Sequence, residues 1–395
     1  MNNKLTVGLL GLSFSSPNLG CSALAYAFRE LLLEMFDGDN LNLELFVFSN
    51  VDCQYYEPSG KDWVKERMLR YSFRNPISVR KVSKEISRCD VVIDFTEGDS
   101  FSDIYGLKRF VLTSYFKRVS IKKAKYFVMG PQTYGPFKSR SVKFAARRLI
   151  LSADRVYVRD QKSADLVKDM CAVNAMTTTD VAFALPIGKC DISRDDRPRF
   201  GLNVSGLLWT GGYTESNQFG LSVDYRQYIN RIIPALVERG YTVHLIPHVV
   251  GTLYPECDST ICKELSQKYD HCVLAPDFET PMQAKGYISN MDVFSGARMH
   301  ATIGAFSSGV ITIPFSYSPK FEGLYESIGY PYCINGRRLT TDEAVNRTLD
   351  YLVDTNRLQD AQQKALERAR QNLADFSADF KQWCVSTVLS SIGGR

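Results

Sequence analysis

Phe294–Lys320, FSGARMHATIGAFSSGVITIPFSYSPK, is the stretch whose reading decides the fold. Its spacing predicts a buried strand over Met291–Phe294, a turn at Ser295 and Gly296, a helix over Arg298–Ser307 and a second strand over Val310–Ile313. Strand, turn, helix and strand in this order form the repeating unit of open α/β sheets, which place ligands outside the carboxyl ends of their strands. Arg298 and His300 fall in the first helical turn. There, free backbone N–H groups and the positive dipole end favour phosphate or carboxylate, and a guanidinium adds a fork of donors. Ser316, Tyr317, Ser318 and Lys320 follow the second strand at the same edge. A lone arginine is more often a salt-bridge partner and a lone histidine a packed one. Two cations, a histidine and hydroxyls at two strand ends favour an anion site.

Working outward, the same alternation fills the chain. Strands are expected at Leu5–Gly11, Glu44–Ser49, Val91–Asp94, Tyr126–Met129, Arg155–Val158 and about Ala175–Thr178, with a helix over Ser22–Met35. The charged, proline-containing run Asp191–Arg199, DISRDDRPR, buries nothing and reads as a linker. Beyond it the pattern restarts with strand Phe200–Val204, helix Tyr225–Glu238, strand Thr242–Ile246, helix Ser259–Lys268, strand Cys272–Leu274 and helix Pro281–Ser289. Asn356–Ile392 is strongly helical. The expected architecture is α/β: a Rossmann-like lobe over 1–190, a linker over 191–199, a second Rossmann-like lobe over 200–355 and a helical tail over 356–395. Both sheets should be parallel, with a cleft between the lobes.

At 395 residues, the chain suits two cores, and 45% hydrophobic and 23% charged residues are ordinary for a globular protein. A net charge of +5 fits an anionic substrate or a nearby anionic surface and is too weak to argue for nucleic acid. Ten cysteines are scattered without a C-x-x-C pair, which excludes zinc-ribbon spacing and reads as reduced thiols. With neither a signal peptide nor a long apolar span, the expected location is the cytoplasm. No metal constellation stands out.

Other loops fall at strand ends. Ser13–Gly20, SFSSPNLG, could cradle an anion but matches neither phosphate-loop fingerprint, so a plain turn is the competing reading. Glu97, Asp99 and Asp103 in TEGDSFSD could take sugar hydroxyls or sit in a solvated loop. GPQTYGPF, Gly130–Phe137, is a stiff loop carrying Tyr134. After the strand RVYV, Asp160 can cap a helix while Arg159 points to the ligand edge. His248, after Pro247 at a strand end, is a ligand candidate; His244 reads as packed and His271 as surface.

The ordered set of NLG, EGDSFSDIYG, GPQTYGPF, VYVRDQKSADLV with TTDVAFALP, GLNVSG, IPHV and SGARMH with SYSPKFEGL resembles the polysaccharide pyruvyl transferase family over most of the chain. The resemblance implies a glycosyltransferase-B-like, two-lobed architecture and transfer of pyruvate from phosphoenolpyruvate onto sugar hydroxyls of surface polysaccharides or their lipid-linked precursors. It associates Arg298, His300 and Arg159 with phosphoenolpyruvate binding and catalysis, and it implies an acid in the Asp180 position and commonly a glycine where Glu97 stands. With Ser316, Tyr317, Lys320 and His248, these residues make up the expected donor site. Asn18, Glu97, Asp99, Asp103 and Tyr134, on first-lobe loops, are the expected acceptor contacts. No cofactor is expected beyond phosphoenolpyruvate as donor substrate. The expected partners are that donor, a saccharide or lipid-linked acceptor and, peripherally, the inner face of the membrane. Two rival classes share the features: a nucleotide-sugar glycosyltransferase or epimerase, and a non-catalytic carbohydrate binder.

Overall fold

Alternating strands and helices fill the computed structural model, which describes residues 3–53, 55–190, 192, 196–251 and 255–393. Contacts divide the chain into one unit of Met1–Ser16, Leu24–Val181 and Arg370–Arg395, and a second of Pro17–Ala23 and Ala182–Ala369. Of the expected linker, Asp191, Ser193, Arg194 and Asp195 lie outside the described residues, and Arg199 already opens a strand.

In the first unit the order is β1 Asn3–Leu10, α1 Leu19–Phe36, β2 Leu41–Ser49, β3 Val64–Arg70, α2 Pro76–Ile86, β4 Val91–Asp94 and α3 Leu107–Lys123. It continues with β5 Tyr126–Gln132, α4 Arg140–Leu151, β6 Arg155–Val158, α5 Gln161–Cys171 and β7 Met176–Thr177. All seven strands are parallel, in the order β3-β2-β1-β4-β5-β6-β7, so the connection reverses direction between β1 and β4. The central strands are buried apolar runs, as a sheet covered on both faces requires. One face carries α2 to α5 through Val82, Ile86, Phe110, Phe116, Val142, Leu149 and Val167. On the other, Phe376 from the C-terminal helix packs at 4.8 Å on Tyr157 and 6.4 Å on Phe28 of α1. The sequence reading passed over β3 because VKERMLR has no apolar run, and its charged, partly exposed alternation is typical of an edge strand.

The second unit runs β8 Arg199–Asn203, α6 Gly206–Trp209, α7 Tyr225–Glu238, β9 Thr242–Leu245, α8 Asp258–Lys268, β10 Cys272–Leu274 and α9 Pro281–Ile288. Then follow β11 Val293–Gly296, α10 Met299–Ser307, β12 Ile311–Ser316, α11 Pro319–Ser327, β13 Ile334–Asn335 and α12 Thr341–Tyr351. Its six parallel strands have the order β10-β9-β8-β11-β12-β13, with the reversal between β8 and β11. The last long helix, α13 Thr355–Trp383, gives its first half to this unit. There, buried Gln362 accepts from the Thr312 N–H at 3.0 Å and donates to the carbonyls of Val310 and Phe306.

Candidate active site

The deciding stretch forms at the reversal point of the second sheet, where ligands of open α/β sheets gather. Its strands start and end later than the spacing suggested: β11 ends on Gly296 and β12 on Ser316. Gly296 has no room for a side chain, since a Cβ there would lie 2.8 Å from the Cβ of Asn203 at the end of β8. Arg298 caps α10 from outside with extended backbone instead of lying in the first turn, because its N–H donates at 2.9 Å to the Asn203 side chain.

The Arg298 guanidinium is turned onto Asp258, the first residue of α8. Nη2 donates to Oδ1 at 2.8 Å, Nε reaches both oxygens at 3.3 Å, and Nη2 also meets the Glu256 carbonyl at 2.9 Å. Asp258 is wholly buried and also accepts from the N–H groups of Gly206, His248 and Val249 at 2.9 to 3.2 Å. Burial works against the charge on Arg298, but the Asp258 carboxylate more than reverses this and holds the group above its ordinary pKa. Nη1 has no partner among the described residues and is the donor left for a ligand.

His300 occupies the second position of α10, and Nδ1 faces the start of α1. A Cβ on Gly20 would stand 2.4 Å from that nitrogen, so only glycine fits. The loop before α1 is fixed here by backbone bonds from Leu19 to His248 at 3.1 Å and from Val250 to Pro17 at 2.9 Å, while Asn18 accepts from the Gly20 N–H. His248 is buried, and neither ring nitrogen has a hydrogen-bond partner among the described residues. Burial, then the charges of His300 and Arg298, push its pKa down to about 3, so the ring is neutral over the ordinary range. At the end of β12, Ser316 donates to the Ser318 carbonyl, Ser318 caps α11, and Lys320 lies in its first turn. Tyr317 packs edge-on against Phe219 at 5.1 Å. His244 meets the Tyr287 hydroxyl at 2.8 Å inside the core, and His271 is exposed.

The first unit builds its own cluster at the ends of β4 to β6. Arg159 is buried, with Nη1 2.7 Å from Asp180 and Nε donating to Thr133 at 2.8 Å, while Asp160 caps α5 through the Ser163 N–H. Thr96, Glu97 and Gly98 all have positive φ, at 43°, 55° and 84°. Glu97 thus stands in backbone suited to glycine, the residue that the resemblance places there. Beneath them Lys117 is fully buried on Asp94 at 3.1 Å and on Thr96 at 2.5 Å. Burial lowers its pKa against the pull of Asp94.

The expected acceptor contacts are spread across several settings. Glu97 pairs with Arg109, and Asp99 accepts from Tyr105. Both oxygens of Asp103 receive the N–H groups of Lys138 and Ser139, which outweigh the effect of burial and keep it below the usual carboxylate range. Tyr134 is a core residue whose hydroxyl donates to the Tyr157 carbonyl. Asn18 belongs with the His300 loop in the second unit. Sequence reasoning missed Asp258, Asn203 and Gly20; the only signals were the GLNVSG and NLG strings and the position of Asp258 just ahead of a helical run.

Two parallel α/β units, each with its polar residues at the carboxyl ends of the strands, define a glycosyltransferase-B-like protein. Three solved structures share that fold over nearly the whole chain. An α,α-trehalose-phosphate synthase from Burkholderia vietnamiensis has a TM-score of 0.57 at 9% identity, covering 99% of this chain and 98% of that one. Sucrose-phosphate synthase from Thermosynechococcus elongatus has 0.55 at 12%, covering 97% and 100%. UDP-GlcNAc 2-epimerase from Methanocaldococcus jannaschii has 0.51 at 9%, covering 88% and 92%. Among curated proteins there is no sequence match. Residues 18–319 match the polysaccharide pyruvyl transferase family, and the chain belongs to it.

Proposed function

We propose that this protein transfers a pyruvyl group from phosphoenolpyruvate to two hydroxyls of a surface saccharide or its lipid-linked precursor, forming a ketal and releasing phosphate. The observation that carries this reading is the Arg298–His300 corner at the start of α10, with Arg298 braced by Asp258 and neutral His248 beside it. The donor carries a carboxylate and a phosphate, and the Nη1 of Arg298, the first-turn N–H groups of α10 and Lys320 supply the matching donors. Arg159 in the first unit is the further cation that the resemblance assigns to the donor.

Protonation of the methylene carbon turns it into a methyl group and makes C2 electrophilic. One sugar hydroxyl then attacks C2 and gives up its proton, the C2–O bond to phosphate breaks, and a second hydroxyl closes the ring as its proton leaves. His300 is the group we assign to give and take these protons, since imidazole works on both sides of neutrality. No step requires a metal.

Incubating the protein with phosphoenolpyruvate and a panel of saccharide and lipid-linked acceptors should release inorganic phosphate and yield a product heavier by one pyruvate ketal. Turnover of a nucleotide sugar, with nucleotide released in place of phosphate, would transfer the chain to the glycosyltransferase or epimerase reading. His300→Ala should lower phosphate release by roughly two to four powers of ten with the fold intact. Full activity in that variant would remove His300 from the chemistry.

A further inference from the structure

We propose that the outer face of α3 and α4 in the first unit docks on an anionic lipid bilayer. Residues 104–153 contain twelve lysines and arginines and no aspartate or glutamate, so the rest of this chain of net charge +5 is acidic overall. Both helices lie on the same side of the sheet, and Phe110, Phe116, Val142 and Leu149 fill the core beneath them. What remains outward is apolar as well as basic. Leu107, Val111 and Tyr115 form a stripe along α3 at helical spacing, with Leu107 60% exposed. On α4, Phe144 is 61% exposed and Leu151 lies two turns further on. Lys108, Arg118 and Lys122 on α3 and Arg140, Lys143 and Arg147 on α4 are exposed and, among the described residues, none of them makes a salt bridge.

A stripe of large aliphatic and aromatic side chains framed by cations that lack an acidic partner among the described residues is the composition of a surface that rests in a headgroup layer, with apolar groups reaching the acyl boundary and cations on lipid phosphates. Nucleic acid would satisfy the cations but leave Leu107, Val111 and Leu151 with nothing to bury against, because bases reward aromatic stacking. Since no helix among the described residues is long and apolar enough to cross a membrane, the contact lies on the surface. The inference is independent of the transfer reaction.

The test is flotation of the full chain with vesicles of phosphatidylcholine alone and of phosphatidylcholine with an equal part of phosphatidylglycerol. Binding should appear only with the anionic vesicles and weaken with added salt. Reversing Lys108→Glu, Arg140→Glu and Lys143→Glu together should lower partitioning about a hundredfold, at about fivefold for each cation. Leu107→Ser with Phe144→Ser should lower it by about tenfold or more. All five positions are exposed, so both variants should melt like the wild type. The proposal fails if the protein ignores anionic vesicles at low salt, if it binds neutral ones equally, or if either variant binds like the wild type. It fails equally if an RNA oligonucleotide or an acidic protein displaces the chain from vesicles while the serine changes have no effect.

Discussion

At Asp258 one carboxylate receives the Arg298 fork and three backbone N–H groups, tying together the starts of α6 and α8, the segment after β9 and the cap of α10. Asp258→Asn would leave a buried guanidinium without its counter-charge, a loss of about 3 to 5 kcal/mol. Denaturant titration should show this drop, and the paired change Asp258→Asn with Arg298→Met should recover much of it, since an amide oxygen still accepts from the backbone N–H groups once the guanidinium is gone, while phosphate release stays absent. His248 gives a separate signature. Its folded pKa of about 3 lies below the unfolded value of about 6.5, so the unfolded chain binds the extra proton between them. Its contribution is therefore whole above about pH 6.5 and falls as the solution is acidified, by about 2 kcal/mol from pH 7 to pH 5. The stability gap between wild type and His248→Leu should shift by that amount in favour of the variant, and a gap independent of pH would contradict the neutral buried ring. Residue chemistry was legible where it was local. Arg298 and His300 stand out because strand, glycine turn and helix follow at once, and Asp160 was readable as a cap. Asp258 was not, because its partner lies 40 residues away and nothing in CDST distinguishes a buried acid from a surface one.

Among elements, α1 shows how a helix start can be shaped by a side chain from elsewhere. Alanine at position 20 would raise helix propensity by about 1 kcal/mol, yet its methyl would meet His300 Nδ1 at 2.4 Å. Gly20→Ala should thus melt near the wild type and lose about a hundredfold in turnover, the scale of an ångström's misplacement of a reacting group. Equal activity would show that the imidazole is free to move. In the first unit the Thr96–Gly98 turn is similarly constrained, since a Cβ on Gly11 would come within 2.4 Å of the Thr96 nitrogen. Central strands were readable as apolar runs. The edge strand β3 was not, nor was the late start of β11, because a two-sided hydrophobic run does not mark which residue makes its first hydrogen bond.

For the whole molecule, the two repeats of strand and helix were legible because the alternation stops and restarts about the charged run near residue 195. The path of the chain was not. Seven residues, Pro17–Ala23, group with the second unit, and the last part of α13 groups with the first. Phe376, about 200 residues beyond β7, the last strand of that sheet, is buried on Tyr157 and Phe28. Phe376→Ala should cost the first unit about 3 to 5 kcal/mol. Hydrogen exchange would place the faster amides in β1, β4 and β6 and leave β8 to β12 as they were; a uniform change would contradict the assignment of the C-terminal half of α13 to the first unit.

Pro17–Leu19 and their partners His248–Val250 also set an order of events during synthesis. A chain leaving the ribosome presents the NLG loop early and must hold it without its bonding partners until the segment after β9 has emerged. The surroundings of His300 are complete only after both have been translated. A gene fragment encoding only Ala182–Ala369 would make a sheet whose histidine lacks the turn that confines it, so the His300 corner is not a module that recombination can move by itself.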